Sequence, residues 1–336
     1  MSPAAPSGLG HVPVLLPEAM EALDPRSGGL YVDATFGAGG YSRALLERGA
    51  RAIALDRDPS AIRAGEKLEA SSGGRLKLTE ARFGDLDEVV SRLGVEAVDG
   101  VVFDIGVSSM QLDEAARGFS LRFDAPLDMR MGSSGRTAAD ILRDEDEATI
   151  ADILFHFGEE RAARRIARAI VADRKAKPFA STLDLAGLIA RVAPARRGEL
   201  THPATRAFQA LRIAVNDELG ELVRGLCAAE RLLKPGGRLA VVTFHSLEDR
   251  IVKQFLAARS GRGRAASRRL PGEPTEAEPT FDAPRGQPIE ATEAEARSNP
   301  RSRSAKLRFG VRTGAPPRGR VEGIEALARL PARRGR

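Results

Sequence analysis

A glycine-rich turn and an acidic residue follow two successive apolar segments, and both suit a cofactor that carries a ribose. Residues 33–40 read DATFGAGG, and glycines let the backbone turn sharply and approach a ligand closely. A dinucleotide fingerprint needs a third glycine where Ser42 stands, so that pattern is incomplete. Asp56 ends the second segment, and its carboxylate can accept two hydrogen bonds from a ribose diol. NAD sites and S-adenosylmethionine sites share such a carboxylate, so it does not separate them.

Polar side chains also follow two later apolar segments. Asp104 lies near the end of the segment 98–105, and Ser108 follows that segment. Both side chains can accept hydrogen bonds from an amine. His245 follows 238–244 and can accept a proton or contact a nucleic acid, although a histidine at a strand end is structural about as often. These residues are the catalytic candidates, and the sequence does not choose among them.

Two other groups of polar residues carry weaker signals. Asp124, Asp128 and Arg130 either shape a substrate pocket or form a salt-bridged loop. His11 and His202 are too far apart in sequence to resemble a metal-ligand spacing, and the sequence predicts no metal site.

The elements that must position these residues alternate between short strands and helices. The strand-like segments are 30–34, 52–55, 76–78, 98–105 and 238–244. Their β-α-β order predicts a doubly wound α/β sheet with ligands at the carboxyl ends of its strands. Residues 113–215 show helical periodicity and predict a helical insertion domain. The alternation in 306–313 predicts a last edge strand, and the composition of 259–300 predicts a loose loop.

Composition and charge exclude several classes of protein. The 336 residues are 42% hydrophobic with 4% aromatics and one cysteine, so an internal disulfide is excluded. No apolar segment approaches the roughly 20 residues of a membrane span, and residues 1–10 do not resemble a signal peptide, which predicts a cytoplasmic protein. From Arg301 onward, eleven Arg and Lys residues stand against two Glu. This charge predicts a polyanionic partner such as nucleic acid, with a solubilising tail as the alternative.

Seven segments, in the same order along the chain, resemble the MraW/RsmH family. The Lys-Pro-Gly-Gly turn at 234–237 is also similar to Rossmann-like methyltransferases. The family consists of S-adenosylmethionine-dependent enzymes that methylate the exocyclic N4 of a cytosine in the decoding region of small-subunit (16S) ribosomal RNA. The segments are 11–16, 33–42, 104–113, 117–131, 202–216, 244–253 and 299–308.

The resemblance implies a set of cofactor contacts. They are Gly39, Gly40, Tyr41, Asp56, Phe83, Asp104 and Gln111. Phe83 would offer an apolar face to adenine, and Asp56 would accept the ribose hydroxyls. The family usually has histidine where Tyr41 stands, a change that a backbone contact tolerates and a side-chain contact does not.

The resemblance also implies the domain organisation and the partner. We expect a Rossmann-like class I methyltransferase domain in 11–112 and 216–312, an insertion domain for substrate recognition in 113–215, and a basic flexible tail in 313–336. The expected partner is small-subunit ribosomal RNA or the assembled subunit. The candidate RNA contacts are Arg301, Arg303, Lys306 and Arg308.

Other activities stay open at the level of the sequence. The same fold could methylate an amine of DNA or protein, but the Asp/Asn-Pro-Pro-aromatic segment of many such enzymes is absent at 104–109. A non-catalytic RNA-binding assembly factor is a further alternative. Methylation at cytosine carbon 5 requires a cysteine nucleophile, and Cys227 lies in an apolar helical stripe where a buried core residue is expected.

Overall fold

The chain divides into two compact units in a computed structural model that describes residues 13–195, 198, 201–261 and 278–332. The first unit comprises residues 1–106 and 222–324, and the second unit comprises 107–221 and 325–336. These boundaries fall a few residues from the predicted limits of the insertion. His11 and residues 333–336 lie outside the described residues.

Strands and helices alternate along the first part of the described chain. In chain order, the strands are β1 (Leu30–Asp33), β2 (Arg51–Asp56), β3 (Leu76–Glu80), β4 (Val98–Asp104), β5 (Leu233–Thr243), β6 (Phe281–Asp282), β7 (Ile289–Glu290) and β8 (Lys306–Arg312). The helices are α1 (Leu16–Leu23), α2 (Gly40–Glu47), α3 (Pro59–Ser71), α4 (Leu86–Arg92), α5 (Ser109–Asp113), α6 (Ala138–Asp144), α7 (Glu147–Gly158), α8 (Ala163–Asp173), α9 (Thr182–Val192), α10 (Thr205–Asn216), α11 (Glu218–Leu232), α12 (Ser246–Arg259), α13 (Glu293–Ser298) and α14 (Glu322–Leu327).

The first unit contains one sheet, and its order confirms the predicted doubly wound α/β fold. The strands follow the order β3-β2-β1-β4-β5-β8-β6, with β7 also paired to β8. The first five are mutually parallel, and β8 runs antiparallel to β5. Val101, Val102 and Phe103 of β4 are fully buried, as expected for a central strand covered on both faces. The parallel strands therefore bring their carboxyl ends to one edge of the sheet.

Local signals explain where several of these elements begin. Asp58 caps α3 by accepting a hydrogen bond from the Ser60 N–H at 2.9 Å, and Pro59 occupies the first turn. The predicted strand at 306–313 is present as β8, but it is not an edge strand because β6 and β7 both pair with it.

Two segments are more ordered than the sequence predicts. The described part of the expected loose loop, residues 278–300, contains β6, β7 and α13. The expected flexible tail contains α14, in which Ile324 is buried. Both segments are anchored by a few buried hydrophobic residues, which are too sparse to give a periodic pattern in the sequence.

The second unit is helical, and α6 to α10 account for most of its core. Ile150 and Leu154 of α7 and Ile166 and Ile170 of α8 are buried without measurable exposure. The described residues of this unit form no strand beyond the single bridge between Pro126 and Ser181. Across the described chain, no helix combines the length and the apolar character needed to cross a membrane.

Candidate active site

Three aspartates end adjacent parallel strands of the first unit. Asp33 ends β1, Asp56 ends β2 and Asp104 ends β4, so all three lie at the carboxyl edge of the sheet. The sequence pointed to Asp56 and Asp104. It did not single out Asp33, although the same signal, an acid at the end of an apolar strand, applies to it.

Asp56 holds the backbone of the glycine-rich turn in place. Its Oδ2 accepts a hydrogen bond from the Gly37 N–H at 2.7 Å, and its Oδ1 accepts one from the Asp58 N–H at 2.8 Å. Burial raises the pKa of this carboxyl to about 6, although the two hydrogen bonds oppose the shift. Each carboxylate oxygen retains a second lone pair, so Asp56 can still accept hydrogen bonds from a diol.

The glycines of the turn differ in what a side chain would meet at each position. Gly39 has φ +77°, and a Cβ there would lie 2.7 Å from the Phe36 ring. A Cβ on Gly40 would lie 2.0 Å from Cγ of Pro13. Packing within the first unit therefore requires glycine at both positions. Gly37 has φ +52°, and a Cβ there would meet no atom closer than 3.9 Å, so space for a ligand exists beside it.

The Tyr41 side chain is committed to the segment that precedes α1. It is buried, and its hydroxyl donates a hydrogen bond to the Val14 carbonyl oxygen at 2.5 Å. Burial raises its pKa well above the usual value of 10.0. The departure from the family's usual histidine thus has a local explanation, and the backbone of Tyr41 is what remains for a cofactor.

Asp104 combines burial with an unsatisfied acceptor. Its N–H donates to Thr35 Oγ1 at 2.7 Å, whereas its buried Oδ1 has no hydrogen-bond partner among the described residues. Burial raises its pKa to about 8, and the nearby carboxylates of Asp33 and Glu248 add to the shift. A buried acceptor without a partner costs about 1–3 kcal/mol, which a ligand that donates a hydrogen bond would relieve.

Asp33 is the fully buried neighbour of this site. Its Oδ2 accepts a hydrogen bond from Ser42 Oγ at 2.7 Å, and burial raises its pKa to about 6. Two carboxyl groups with different pKa values therefore lie side by side at the edge of the sheet. Such a separation is typical of sites that hold and release protons.

His245 is positioned by Glu248 at the start of α12. Its Nε2 lies 3.0 Å from Oε1 of Glu248, and its side chain is 12% exposed. The other carboxylate oxygen of Glu248 accepts hydrogen bonds from the N–H groups of Phe244 and His245, at 2.8 and 3.2 Å. Glu248 is fully buried, and its carboxylate anchors the backbone at the end of β5 beside the imidazole of His245.

Phe83 lies in a single 3-10 turn, Phe83–Asp85, that follows β3. Its ring contacts the Phe103 ring edge to face, with centroids 5.6 Å apart. The side chain is partly exposed, so it can still offer an apolar surface to a ligand.

Ser108 and Gln111 belong to the second unit and cap α5 together. Gln111 Oε1 accepts a hydrogen bond from the Ser108 N–H at 3.1 Å, and Ser108 Oγ accepts one from the Gln111 N–H at 3.2 Å. In the same unit, Arg130 donates two hydrogen bonds to the Asp128 carboxylate at 2.8 and 2.7 Å. This geometry favours the salt-bridged loop, and Asp124 is exposed.

The four basic candidates do not form one extended row. Arg301 and Arg303 lie in the 3-10 turn Pro300–Ser304, and Lys306 and Arg308 lie in β8. Arg308 is buried and donates two hydrogen bonds to Asp249, at 2.7 and 3.1 Å. Its guanidinium is therefore engaged by Asp249 of α12 and not presented to a partner, contrary to the expectation from its charge.

Cys227 lies within α11 and not at the end of a strand. It is partly exposed, whereas the apolar stripe predicted a buried core residue. The difference arises because the stripe fixes the buried face of a helix without fixing which residues lie at its margin.

Comparison with known proteins identifies close relatives over almost the whole chain. Residues 8–312 match the model of a family described as the MraW methylase family. The chain is similar to two proteins called "Ribosomal RNA small subunit methyltransferase H". The one from Methylocella silvestris is 65% identical, over 96% of this chain and 93% of that protein. The one from Methylorubrum populi is 62% identical, over 97% of this chain and 93% of that protein.

Proposed function

Because the chain belongs to the MraW methylase family, we propose that it methylates the exocyclic N4 of a cytosine in the decoding region of small-subunit ribosomal RNA. S-adenosylmethionine is the methyl donor. The names of the curated relatives support RNA of the small ribosomal subunit as the substrate. Such a substrate agrees with the cytoplasmic location expected from the sequence.

The observation that carries the proposal is the unsatisfied Oδ1 of Asp104. The lone pair of a cytosine amine is delocalised into the ring, so the amine needs an acceptor for its N–H as it becomes a nucleophile. A pKa of about 8 lets this carboxyl take up and release a proton near neutral pH. In its ionised form the carboxylate accepts the hydrogen bond from the amine at Oδ1 and then holds the proton that the amine loses.

The other residues at the carboxyl edge of the sheet bind the cofactor or accept a proton. Bound S-adenosylmethionine supplies a methyl group on a sulfonium, whose leaving group is neutral. Asp56 accepts the hydroxyls of the ribose while holding the Gly37 turn, and Phe83 offers its exposed face to adenine. His245, held by Glu248, is the second proton acceptor. Ser108 is the weaker candidate because a neutral hydroxyl can accept a hydrogen bond from the amine but does not take up its proton near neutral pH.

Ribosomal RNA contacts are proposed for Arg301, Arg303 and Lys306. Arg303 is exposed. Lys306 Nζ lies 3.8 Å from Glu290 and 3.9 Å from Asp249, and both are long contacts that a phosphate can replace. Changing all three to Ala lowers the steepness of the salt dependence of RNA binding by roughly one unit per lost contact. A lower melting temperature with an unchanged salt dependence would instead show that these side chains only pack the sheet.

Methyl transfer to unmethylated small-subunit RNA, free or assembled, tests the proposal. Mass-spectrometric mapping of the product identifies the nucleotide and the methylated atom. We expect N4-methylcytosine with the wild type and with Cys227→Ser, and none with Asp104→Asn. Asp99→Asn, on the same strand β4, is the matched control and retains activity. Methyl groups on carbon 5, on DNA or on protein, or no transfer despite cofactor binding, would refute the assignment.

A further inference from the structure

A cleft of about 760 Å³ lies between α7 and α8 in the second unit. All of the residues that line it belong to the second unit. Phe155 and His156 line it from α7, and three arginines line it from the start of α8 and the turn before it. The arginines are Arg161, Arg164 and Arg165.

The aromatic side of the cleft is not required by the core. Ile153, Leu154 and Phe157 form the buried face of α7, whereas Phe155 is 55% exposed. The His156 ring lies edge to face with it, with centroids 5.1 Å apart. Phe155 is the most exposed of the large hydrophobic side chains in the described residues. An exposed aromatic pair beside a cleft marks a surface for a planar or apolar ligand group.

The other side of the cleft carries three positively charged side chains. Arg161, Arg164 and Arg165 are exposed, and none of them makes an ion pair within the described part of the chain. Asp152 is the single acid among the residues that line the cleft. The next arginine of α8, Arg168, differs because it lies 3.6 Å from Glu147.

The start of α8 also lines the cleft, and Glu160 Oε1 accepts a hydrogen bond from the Ala162 N–H there at 2.7 Å. The N-cap residue of α8, Ala162, makes no side-chain cap, and it lines the cleft with the residue that follows. The N-terminal end of a helix carries the positive end of the backbone dipole. The charge of the cleft is therefore complementary to phosphates, and its aromatic wall is complementary to a base.

We propose that this cleft binds a single-stranded segment of the RNA substrate. A base stacks on Phe155, and the neighbouring phosphates contact Arg161, Arg164 and Arg165. The proposal rests on the proposed function for the identity of the RNA. It assigns to the helical unit a binding surface distinct from the basic residues around β8.

RNA affinity measured without cofactor tests the cleft directly. The probe is a fluorescent single-stranded RNA of about 16 nucleotides with the unmethylated decoding-region sequence, titrated over a range of salt concentrations. Phe155→Ala weakens binding about tenfold and leaves the salt dependence unchanged, because a stacked base is lost and no phosphate contact is lost. The triple change of Arg161, Arg164 and Arg165 to Ala lowers the salt slope by up to about two units.

Matched controls separate the cleft from general surface effects. Leu183→Ala removes an apolar side chain that is 49% exposed on α9, and Arg63→Ala removes an exposed arginine of α3. Both should bind the RNA within about twofold of the wild type. The cleft variants should keep the wild-type melting temperature and cofactor affinity, because the changed side chains lie on the surface.

The outcomes distinguish this proposal from the proposed function. Unchanged affinity and unchanged salt slope in the cleft variants would overturn the RNA cleft, even if the wild type methylates ribosomal RNA. The same result is expected if the cleft binds an acidic segment of a protein and not RNA. Weaker binding by the cleft variants, together with a wild type that transfers no methyl group to ribosomal RNA, would support the cleft and refute the activity.

Discussion

Replacing Asp104 by Asn tests the protonation of the site through the stability of the cofactor-free protein. The carboxyl lies at the end of β4 with its Oδ1 buried and unpaired among the described residues. Burial, with added repulsion from Asp33 and Glu248, raises its pKa from 3.8 to about 8. Asparagine has almost the same shape and does not ionise, so the change removes the titration and largely preserves the packing.

The magnitude follows from the difference in proton binding between the folded and unfolded states. Below the unfolded pKa of 3.8 the carboxyl is protonated in both states and has no effect. Between 3.8 and about 8 the unfolded state ionises first, so the free energy of unfolding falls by about 1.36 kcal/mol per pH unit. Above the folded pKa the loss is complete, at most about 6 kcal/mol. The Asn variant does not ionise, so its free energy of unfolding does not show this fall with pH.

Denaturant unfolding from about pH 5 to about pH 9 measures the effect in both proteins. We expect Asp104→Asn to be more stable than the wild type by an amount that grows with pH and levels off above the folded pKa. Asp99→Asn, on the same strand, is the control of opposite sign. Although burial acts to raise the pKa of Asp99, the hydrogen bonds from Leu30 N–H and Lys234 Nζ lower it overall. This variant should be less stable than the wild type by an amount that is constant across this pH range.

A stability difference between the wild type and Asp104→Asn that does not change with pH would refute the reasoning. It would mean that the carboxyl is ionised in the folded protein throughout the range. Oδ1 would then have a partner that supports its charge, and the carboxyl would not take up and release a proton near neutral pH as proposed.

Three further variants test the roles of individual side chains. Asp56→Ala should weaken S-adenosylmethionine binding about 10- to 150-fold by calorimetry, and unchanged affinity in a folded variant would contradict its role. Tyr41→Phe loses the hydrogen bond to the Val14 carbonyl and should lower the free energy of unfolding by about 1 kcal/mol. Its cofactor affinity should stay within a few fold of that of the wild type. A large loss of affinity would show that the hydroxyl contacts the cofactor. Arg308→Ala should lower the free energy of unfolding by about 1–3 kcal/mol, because Asp249 loses two hydrogen bonds and keeps only the longer contact with Lys306 Nζ, at 3.9 Å. An altered salt dependence of RNA binding in that variant would instead support the contact expected from its charge.

Much of the first unit could be predicted from the sequence because the signals are local. The apolar segments before Asp56 and Asp104 have the length and residue types of buried parallel strands. The Asp58-Pro59 pair predicts the start of α3 through an N-cap and a fixed φ angle. The positions of the acids at the carboxyl edge of the sheet follow from the order of the strands.

Contacts between residues far apart in the chain decided the rest. Arg308 looks like an exposed basic residue in the sequence, but pairing of β8 with β5 buries it beside Asp249. Gly40 resembles a ligand-binding glycine, yet Pro13 is what excludes a side chain there. The pairing of β6 and β7 with β8 likewise depends on segments that carry little periodicity of their own.

The sequence by itself determined which residue types stand at the ends of the strands, because that depends on neighbours a few positions away. Only the tertiary structure decided their protonation and their partners. Asp33, Asp56 and Asp104 have the same intrinsic acidity, but the pKa is raised to about 6 in the first two and to about 8 in the third. The difference arises because hydrogen bonds offset burial at Asp33 and Asp56, whereas Asp104 Oδ1 is buried near two other carboxylates and lacks a donor among the described residues.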